Sequence, residues 1–411
     1  MEILHPRCAG LDVHKKTVAA CLRLVDEKGK VHKEIRQFDT MTRDLLQLSD
    51  WLSSQGVTHV AMESSGVYWK PIYNLLEDDF QLLLVNPAHA KNVLGRKTDV
   101  QDAEWIADLL AHGLLRASYV PDRDRRELRE LVRYRKSLIQ QRTAEINRIH
   151  KILEGANIKL ASVVSQITGK TGRSILDAIA AGETDPHTLA ELARGTLRNK
   201  RDELARSLQG RIAPHQRFML RQILDHIDYL DQTIIHLEEE LDIRLRPFAD
   251  MLDRLQSAPG IQLRNAQTIA AALPDLSFFP SAHHLASWAG LCPGNNESAG
   301  KRRSGKLRKG NEMLREALVE ASWAAIRKRD TYLGVTFYRL AARRGRKRAI
   351  IAVAHALLIS IYAMLTREMD YVELGPTYLD ERRREYTKRN LVRRLEALGY
   401  VAQLEPVSLA A

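Results

Sequence analysis

Four acids in the first quarter of the chain stand where acids need a reason. Asp12 lies in the apolar run Ala9-Gly10-Leu11-Asp12-Val13, and Glu63 follows Val60-Ala61-Met62. Asp99 and Asp102 sit three apart in Lys97-Thr98-Asp99-Val100-Gln101-Asp102. A carboxylate on or just after a buried strand carries a desolvation cost that a charge partner must offset. Carboxylate oxygens are the ligands that hard divalent cations take. Two such ions about 3.5–4 Å apart can activate an attacking oxygen and stabilise a leaving one in phosphodiester chemistry. The pattern predicts that Asp12, Glu63, Asp99 and Asp102 hold Mg2+ or Mn2+. For Asp99 and Asp102 the plainer reading is local: two first-turn acids favoured by the dipole of the helix they open.

A second group lies far along the chain. Glu297-Ser298 precede Lys301, Arg302, Arg303, Lys306, Arg308 and Lys309, so six of the nine residues from 301 to 309 are basic. A serine hydroxyl is a weak nucleophile until it is activated, and arginines stabilise charge on a phosphodiester in transfer. Ser298 is therefore a candidate nucleophile toward DNA, with Ser304 as its rival. The plainer reading is a phosphate-binding loop whose serines only hydrogen-bond. A second basic knot, Arg343, Arg344, Arg346, Lys347 and Arg348, precedes an apolar stretch. Both runs are expected to contact nucleic acid.

Composition supports a polyanionic partner. The 411 residues carry 63 Lys plus Arg against 51 Asp plus Glu, a formal charge of +12. Such a surface suits DNA or RNA, and an anionic membrane is the rival. Apolar residues make up 45%, enough for a sizeable core. Cys8, Cys21 and Cys292 form no CxxC pair, which argues against a zinc site or a disulfide framework and suits a reducing compartment such as the cytoplasm. Met1 to Cys8 lacks the apolar centre of a secretory signal. The run from Ala349 to Leu365 is interrupted by His355 and Ser360. It is short for a membrane span and reads as a buried helix, with no membrane partner.

The elements that must position these groups follow from periodicity. Residues 8–13, 17–25 and 31–38 predict a β-meander. Thr42 to Leu52 predicts an amphipathic helix with Leu45, Leu46, Leu48 and Leu52 facing inward. Strands at Val57 to Met62 and Phe80 to Val85 flank a helix from Gly66 to Leu76. This order predicts a mixed sheet with helices on its faces. A helix from Asp99 to about His112 places Asp99 and Asp102 on one side. Long helices are expected from Asp122 to about Ala156, with Arg135 and Arg142 on its apolar stripe, and from Pro214. On the second, Leu220, Ile223, Ile227, Leu230, Ile234, Leu237, Leu241 and Leu245 make a near-heptad seam that packs on the chain itself or on another subunit. Ser257-Ala258-Pro259-Gly260-Ile261 resembles a helix-hairpin-helix turn, or is a plain Pro-Gly turn. The division expected is 1–120, an α/β acid-bearing domain; 121–254, a helical, coiled-coil-like middle; and 255–411, a mostly α-helical domain with the serine loop. Taken alone, the acids resemble the layout of RNase H-like nucleases, such as junction resolvases, which cut with water.

Taken together, the residues resemble a known family. Gly10-Leu11-Asp12-Val13-His14-Lys15, Met62-Glu63-Ser64-Ser65-Gly66-Val67-Tyr68-Trp69 and Lys97-Thr98-Asp99-Val100-Gln101-Asp102-Ala103 carry the match at one end. Pro259-Gly260-Ile261, Ala289-Gly290-Leu291, Glu297-Ser298, Lys309-Gly310-Asn311 and Leu314-Arg315 carry it at the other. The chain resembles the DEDD transposases of bacterial insertion sequences, the IS-one-ten family, which also takes in Piv-type DNA invertases. The resemblance implies a RuvC-like N-terminal domain with Asp12, Glu63, Asp99 and Asp102 as metal ligands. It implies that Ser298 attacks DNA and forms a covalent phosphoserine link. It further implies a homo-oligomer, dimer or tetramer, with a composite site, acting on donor and target DNA under a structured non-coding guide RNA.

Overall fold

Strand alternation sets the two faces of the N-terminal sheet. The computed structural model describes residues 2–64, 66–86, 102–294, 296–298, 301–382 and 384–401. Strands β1(Arg7–Val13), β2(Thr17–Val25) and β3(Val31–Asp39) form the expected antiparallel meander. Strands β4(His59–Glu63) and β5(Gln81–Val85) extend it in parallel, giving the order β3-β2-β1-β4-β5. Ala9, Leu11 and Val13 share one face with Val60 and Met62. They are buried there with Leu48 and Leu52 of α1(Thr42–Ser54) and with Ile72 and Leu76 of α2(Trp69–Leu76). Cys8 and Ala61 alternate to the opposite face and are buried with Ile106 and Leu110 of α3(Asp102–Ala111). This is the mixed α/β unit that the sequence predicts. One inward assignment fails: Leu46 is 50% exposed. The helical period buries Leu45, Leu48, Ser49 and Leu52 and leaves Leu46 outside that stripe.

Helix α3 lies against bare backbone. A Cβ at Gly10 would overlap the carbonyl oxygen of Ala103 and the amide nitrogen of Ala107. The Cys8 thiol donates to the Ala107 carbonyl at 3.6 Å, and the Leu4 amide donates to the Ala111 carbonyl at 2.8 Å. The helix therefore runs antiparallel to β1, with its N-terminus at the strand's carboxyl end. Arg23, itself buried, donates to Asp108 at 2.9 Å. Lys33 donates to Asp108 and to Glu104, each at 2.7 Å. Burial pushes the Cys8 thiol up to about 11 and the Cys21 thiol up to about 12. Both stay protonated at neutral pH and pack as small apolar groups.

The chain divides into compact units at Met1–Arg123 and Asp124–Ala411. In the second, α4(Arg123–Gly155) and α9(Pro214–Leu245) are joined through α5(Leu160–Val163), α6(Lys170–Ala181), α7(Pro186–Glu191) and α8(Arg201–Ser207). Every residue of the predicted α9 seam is buried. Glu127 pairs with Arg244 at 2.7 Å, Arg142 with Asp231, and Glu145 with His226 at 3.2 Å. Positions rise along α4 as they fall along α9, so the two helices pair antiparallel within one chain. Ile149, Leu153, Leu220 and Leu224 at one end are buried with Ile175, Leu176 and Leu204 of the short helices. At the other end, Leu128, Leu138, Leu230 and Leu241 join the core of the C-terminal helices.

Arg135, foreseen on the α4 stripe, is buried there, and desolvation lowers its pKa. It donates to the Gln267 side chain and, at 3.2 Å, to the Arg264 carbonyl; Gln267 in turn donates to Asp242 at 3.1 Å. These partners offset the cost of burying the cation.

The C-terminal helices are α10(Ala249–Ser257), α11(Leu263–Ala272), α12(Ala282–Trp288), α13(Glu312–Ala325), α14(Tyr332–Arg344) and α15(Arg346–Thr366). The Pro259-Gly260 turn joins α10 to α11 and presses Gly260 onto the backbone of α13 at Ala321. Among the described residues, α15 alone is long and apolar enough to cross a membrane. Its Val353, Leu357, Leu358 and Ile361 are fully buried in the C-terminal core, which accounts for its composition. It starts at Arg346, so Arg346, Lys347 and Arg348 form its first turn rather than a preceding loop. The charged tail forms α16(Tyr378–Arg382) and α17(Arg384–Ala397), with Asp380 held by Arg339 at 2.8 Å.

Gly10→Val should lower the stability of the N-terminal unit by about 1–3 kcal/mol, the usual cost of overpacking. A lower denaturation midpoint is the expected reading, and an unchanged midpoint would contradict the tight contact with α3.

Candidate active site

Asp12 and Glu63 lie where two neighbouring strands end. Leu11 of β1 is in register with Met62 of β4, so Asp12 and Glu63 occupy neighbouring places one residue further along parallel strands. By alternation Asp12 follows Cys8 and Gly10, and Glu63 follows Ala61, onto the face that α3 covers. Asp102 opens α3, whose N-terminus lies at this same edge. Ligands of α/β sheets commonly bind at the carboxyl ends of parallel strands. The Asp12 side chain is 15% exposed and its Oδ2 lies 3.2 Å from Nε2 of His14. Glu63 and Asp102 are half-buried. Asp99 lies outside the described residues. Among the described residues, no group of three or more His, Cys, Asp or Glu side chains is close enough to hold a metal ion. The oxygen donors Asp12, Glu63 and Asp102 nonetheless suit Mg2+ in kind and share one edge of the sheet.

The serine region is built from its base upward. Residues expected to form an irregular loop include two short strands, β6(Asn296–Ser298) and β7(Lys301–Ser304). Ser298 is in register with Lys301, and Glu297 with Arg302. Below the strands, Pro293 bridges to Leu307, and the Gly294 amide donates to the Lys306 carbonyl at 2.9 Å. At the base, a Cβ on Gly310 would overlap the Gly290 amide nitrogen. The two ends of the segment are thus clasped backbone to backbone. The Ser304 hydroxyl accepts from the Lys306 amide at 3.2 Å. Such a bond to its own turn is what the phosphate-loop reading expects of a serine.

Comparison with known proteins decides the family. Residues 9–158 match the DEDD transposase family of IS110, and residues 252–339 match the transposase family described as IS116/IS110/IS902. The chain belongs to the IS110 family of transposases. It is 26% identical over 369 residues to the transposase for insertion sequence element IS1111A of Coxiella burnetii, covering 88% of this chain and 90% of that protein. It is 27% identical over 302 residues to the 43.6 kDa insertion element IS110 protein of Streptomyces coelicolor, covering 66% of this chain and 70% of that one. The protein is thus an insertion-sequence transposase, an enzyme whose substrate is DNA, as the sequence implied.

Some residues of this IS110 transposase gain a role that sequence reasoning did not assign. Asn311 accepts from the Leu314 amide at 3.1 Å, capping α13, and donates to the Ala272 carbonyl at 3.3 Å. Arg129 donates to the Ala271 and Ala272 carbonyls at 2.7 and 2.8 Å, and Arg125 donates to the Leu273 carbonyl at 3.0 Å. The open C-terminus of α11 is thereby capped from α4 and from the foot of the serine hairpin. The available signals were Asn311 just before an amphipathic run, a common cap, and Gly310 beside it. The expected DNA contacts Lys306, Arg308, Lys309, Arg343, Arg344, Arg346, Lys347 and Arg348 are all exposed.

Asn311→Ala should destabilise the second unit by about 1 kcal/mol, the usual cost of a lost cap, measured by chemical denaturation. Gly310→Ala should open the hairpin base, so that trypsin cuts between 301 and 309 faster than in the parent protein. Equal cleavage rates would show that the clasp does not hold the hairpin.

Proposed function

We propose that this transposase cuts and rejoins DNA through Ser298, with a divalent ion held by Asp12, Glu63, Asp99 and Asp102. The observation that most favours this is the placement of Asp12, Glu63 and the N-terminus of α3 at one sheet edge. In this reading the Ser298 oxygen attacks a DNA phosphorus as its proton leaves, and the bond from phosphorus to a sugar oxygen breaks. That sugar oxygen takes up a proton and departs as a free hydroxyl. The serine phosphodiester keeps the linkage until the hydroxyl of the exchanging strand displaces Ser298, which regains a proton. Bound Mg2+ or Mn2+ would draw charge from the phosphate oxygens. Asp12 and Glu63 would be the fixed members of that ligand set, because each is set by a strand rather than by a loop. His14, beside Asp12, would orient that carboxylate. Lys301, Arg302, Arg303, Lys306, Arg308 and Lys309 would steady the phosphates on the hairpin, with Arg343, Arg344, Arg346, Lys347 and Arg348 beyond it.

The organisation proposed is a RuvC-like domain at 1–120, a helical region at 121–254 and a transposase domain at 255–411. The family resemblance supports a homo-oligomer in the bacterial cytoplasm, directed to donor and target DNA by a guide RNA. The exposed cations would hold phosphates of either nucleic acid.

Ser298→Ala should abolish both strand exchange and the protein–DNA adduct while DNA binding persists. Asp12→Asn should reduce turnover by more than the roughly 10–100-fold that loss of an outer partner costs. Free nicked ends made by the Ser298→Ala protein would instead indicate hydrolysis by an RNase H-like site, as in a junction resolvase. Binding affinity should fall with salt by about 0.9 log unit per log salt for each duplex phosphate contacted.

A further inference from the structure

Surface arginines of the second unit commonly have carboxylate partners. Arg173 holds Asp228 and Asp177, Arg244 holds Glu127 and Glu240, and Arg339 holds Asp380. Lys306, Arg344, Lys347 and Arg348 differ: among the described residues no carboxylate pairs with them. These four cations converge on one cleft of about 860 Å³, and among the described residues no acid lines it. Lys306 comes from the foot of the serine hairpin, Arg344 from the end of α14, and Lys347 and Arg348 from the first turn of α15. That turn has three cations, no acid and no side-chain cap. The helix dipole disfavours such a turn unless an anion stands there.

Away from the cations the cleft has an apolar floor. Leu307, Leu340, Ile351 and Ala352 line it. Along α15, Arg348, Ala352 and His355 fall four and three residues apart, so one helix face passes from charge to methyl to imidazole. The His355 ring stacks 5.9 Å from His283, and burial, then His283, lowers its pKa. A neutral imidazole both donates and accepts.

We propose that this cleft is a nucleotide subsite for single-stranded DNA. The phosphate lies on Lys306, Arg344, Lys347 and Arg348, and an unstacked base lies on Ile351 and Ala352. A surface that only followed duplex phosphates would gain nothing from an apolar floor, because bases in a duplex stay stacked. The volume falls in the range of about 300–1,000 Å³ common for ligand pockets. The inference extends the serine reading, since Ser304 and Lys306 belong both to the hairpin and to the cleft wall.

The test measures binding by the full-length Ser298→Ala protein, so no chemistry enters. The probes are a short fluorescent single-stranded DNA, its duplex, and RNA of the same sequence. Ala352→Phe fills the floor and keeps every charge. It should weaken single-strand binding by about tenfold, within the range of one base's stacking on a protein surface, and leave duplex binding unchanged. Lys347→Gln with Arg348→Gln should lower the single-strand salt slope by about 0.7 for each cation removed. These two residues are exposed, so this arm decides the matter even where Ala352→Phe fails to fold. An unchanged slope, or equal loss for duplex and single strand in Ala352→Phe, overturns the subsite. RNA that binds more tightly than DNA, with that preference erased by Ala352→Phe, overturns the assignment to DNA. Failure of the serine reading would appear separately, as strand exchange retained by Ser298→Ala.

Discussion

The N-terminal site depends on a contact between two backbones. At Gly10 a helix lies where any side chain would be. That approach sets α3 flat on β1 and brings the α3 N-terminus, with Asp102, to the carboxyl end of the strands. Asp12 and Glu63 reach the same edge by parallel register and alternation. The ion pairs of Arg23 and Lys33 with Asp108 and Glu104 then fix the helix along its length. The apolar and ionic contacts all presuppose the missing Cβ. The serine hairpin uses the same device: Gly290 meets Gly310, and Asn311 ties that clasp to α11 and α13.

The helical middle is less a separate module than a strut. Its antiparallel pair buries one end among short helices and the other in the C-terminal core. At that second end the buried Arg135 and Gln267 form a polar chain that reaches Asp242 at the surface. Such a chain has defined partners, so sliding the helices by one turn would leave a buried cation unpaired, an expensive state. Register is held by polar specificity, while the leucine seam is buried along its length.

Much of the fold was legible because periodicity is local. The meander, the order of strands and helices in the sheet, both long helices and the α9 seam follow from residue spacing. Leu46 was misread because a run of leucines hides which side of the helical period faces the sheet. The partner of the α9 seam was illegible, because a heptad records an apolar stripe and not what covers it. Asp12 and Glu63 were legible as acids on apolar strands, but their shared edge needed the parallel register. The hairpin was illegible, since Lys301 to Ser304 pattern as a solvated run. The cleft joins Lys306 to Arg344, Lys347 and Arg348 across a helical turn that only the fold supplies.

The central claim is that a serine on this hairpin, rather than water, breaks the DNA strand. The most direct measurement is to trap the protein on labelled DNA in Mg2+, digest both, and identify the linked peptide by mass spectrometry. The expected product is a nucleotide joined through phosphate to Ser298. A nucleotide on Ser304, or cleaved DNA with no linked peptide, would contradict it.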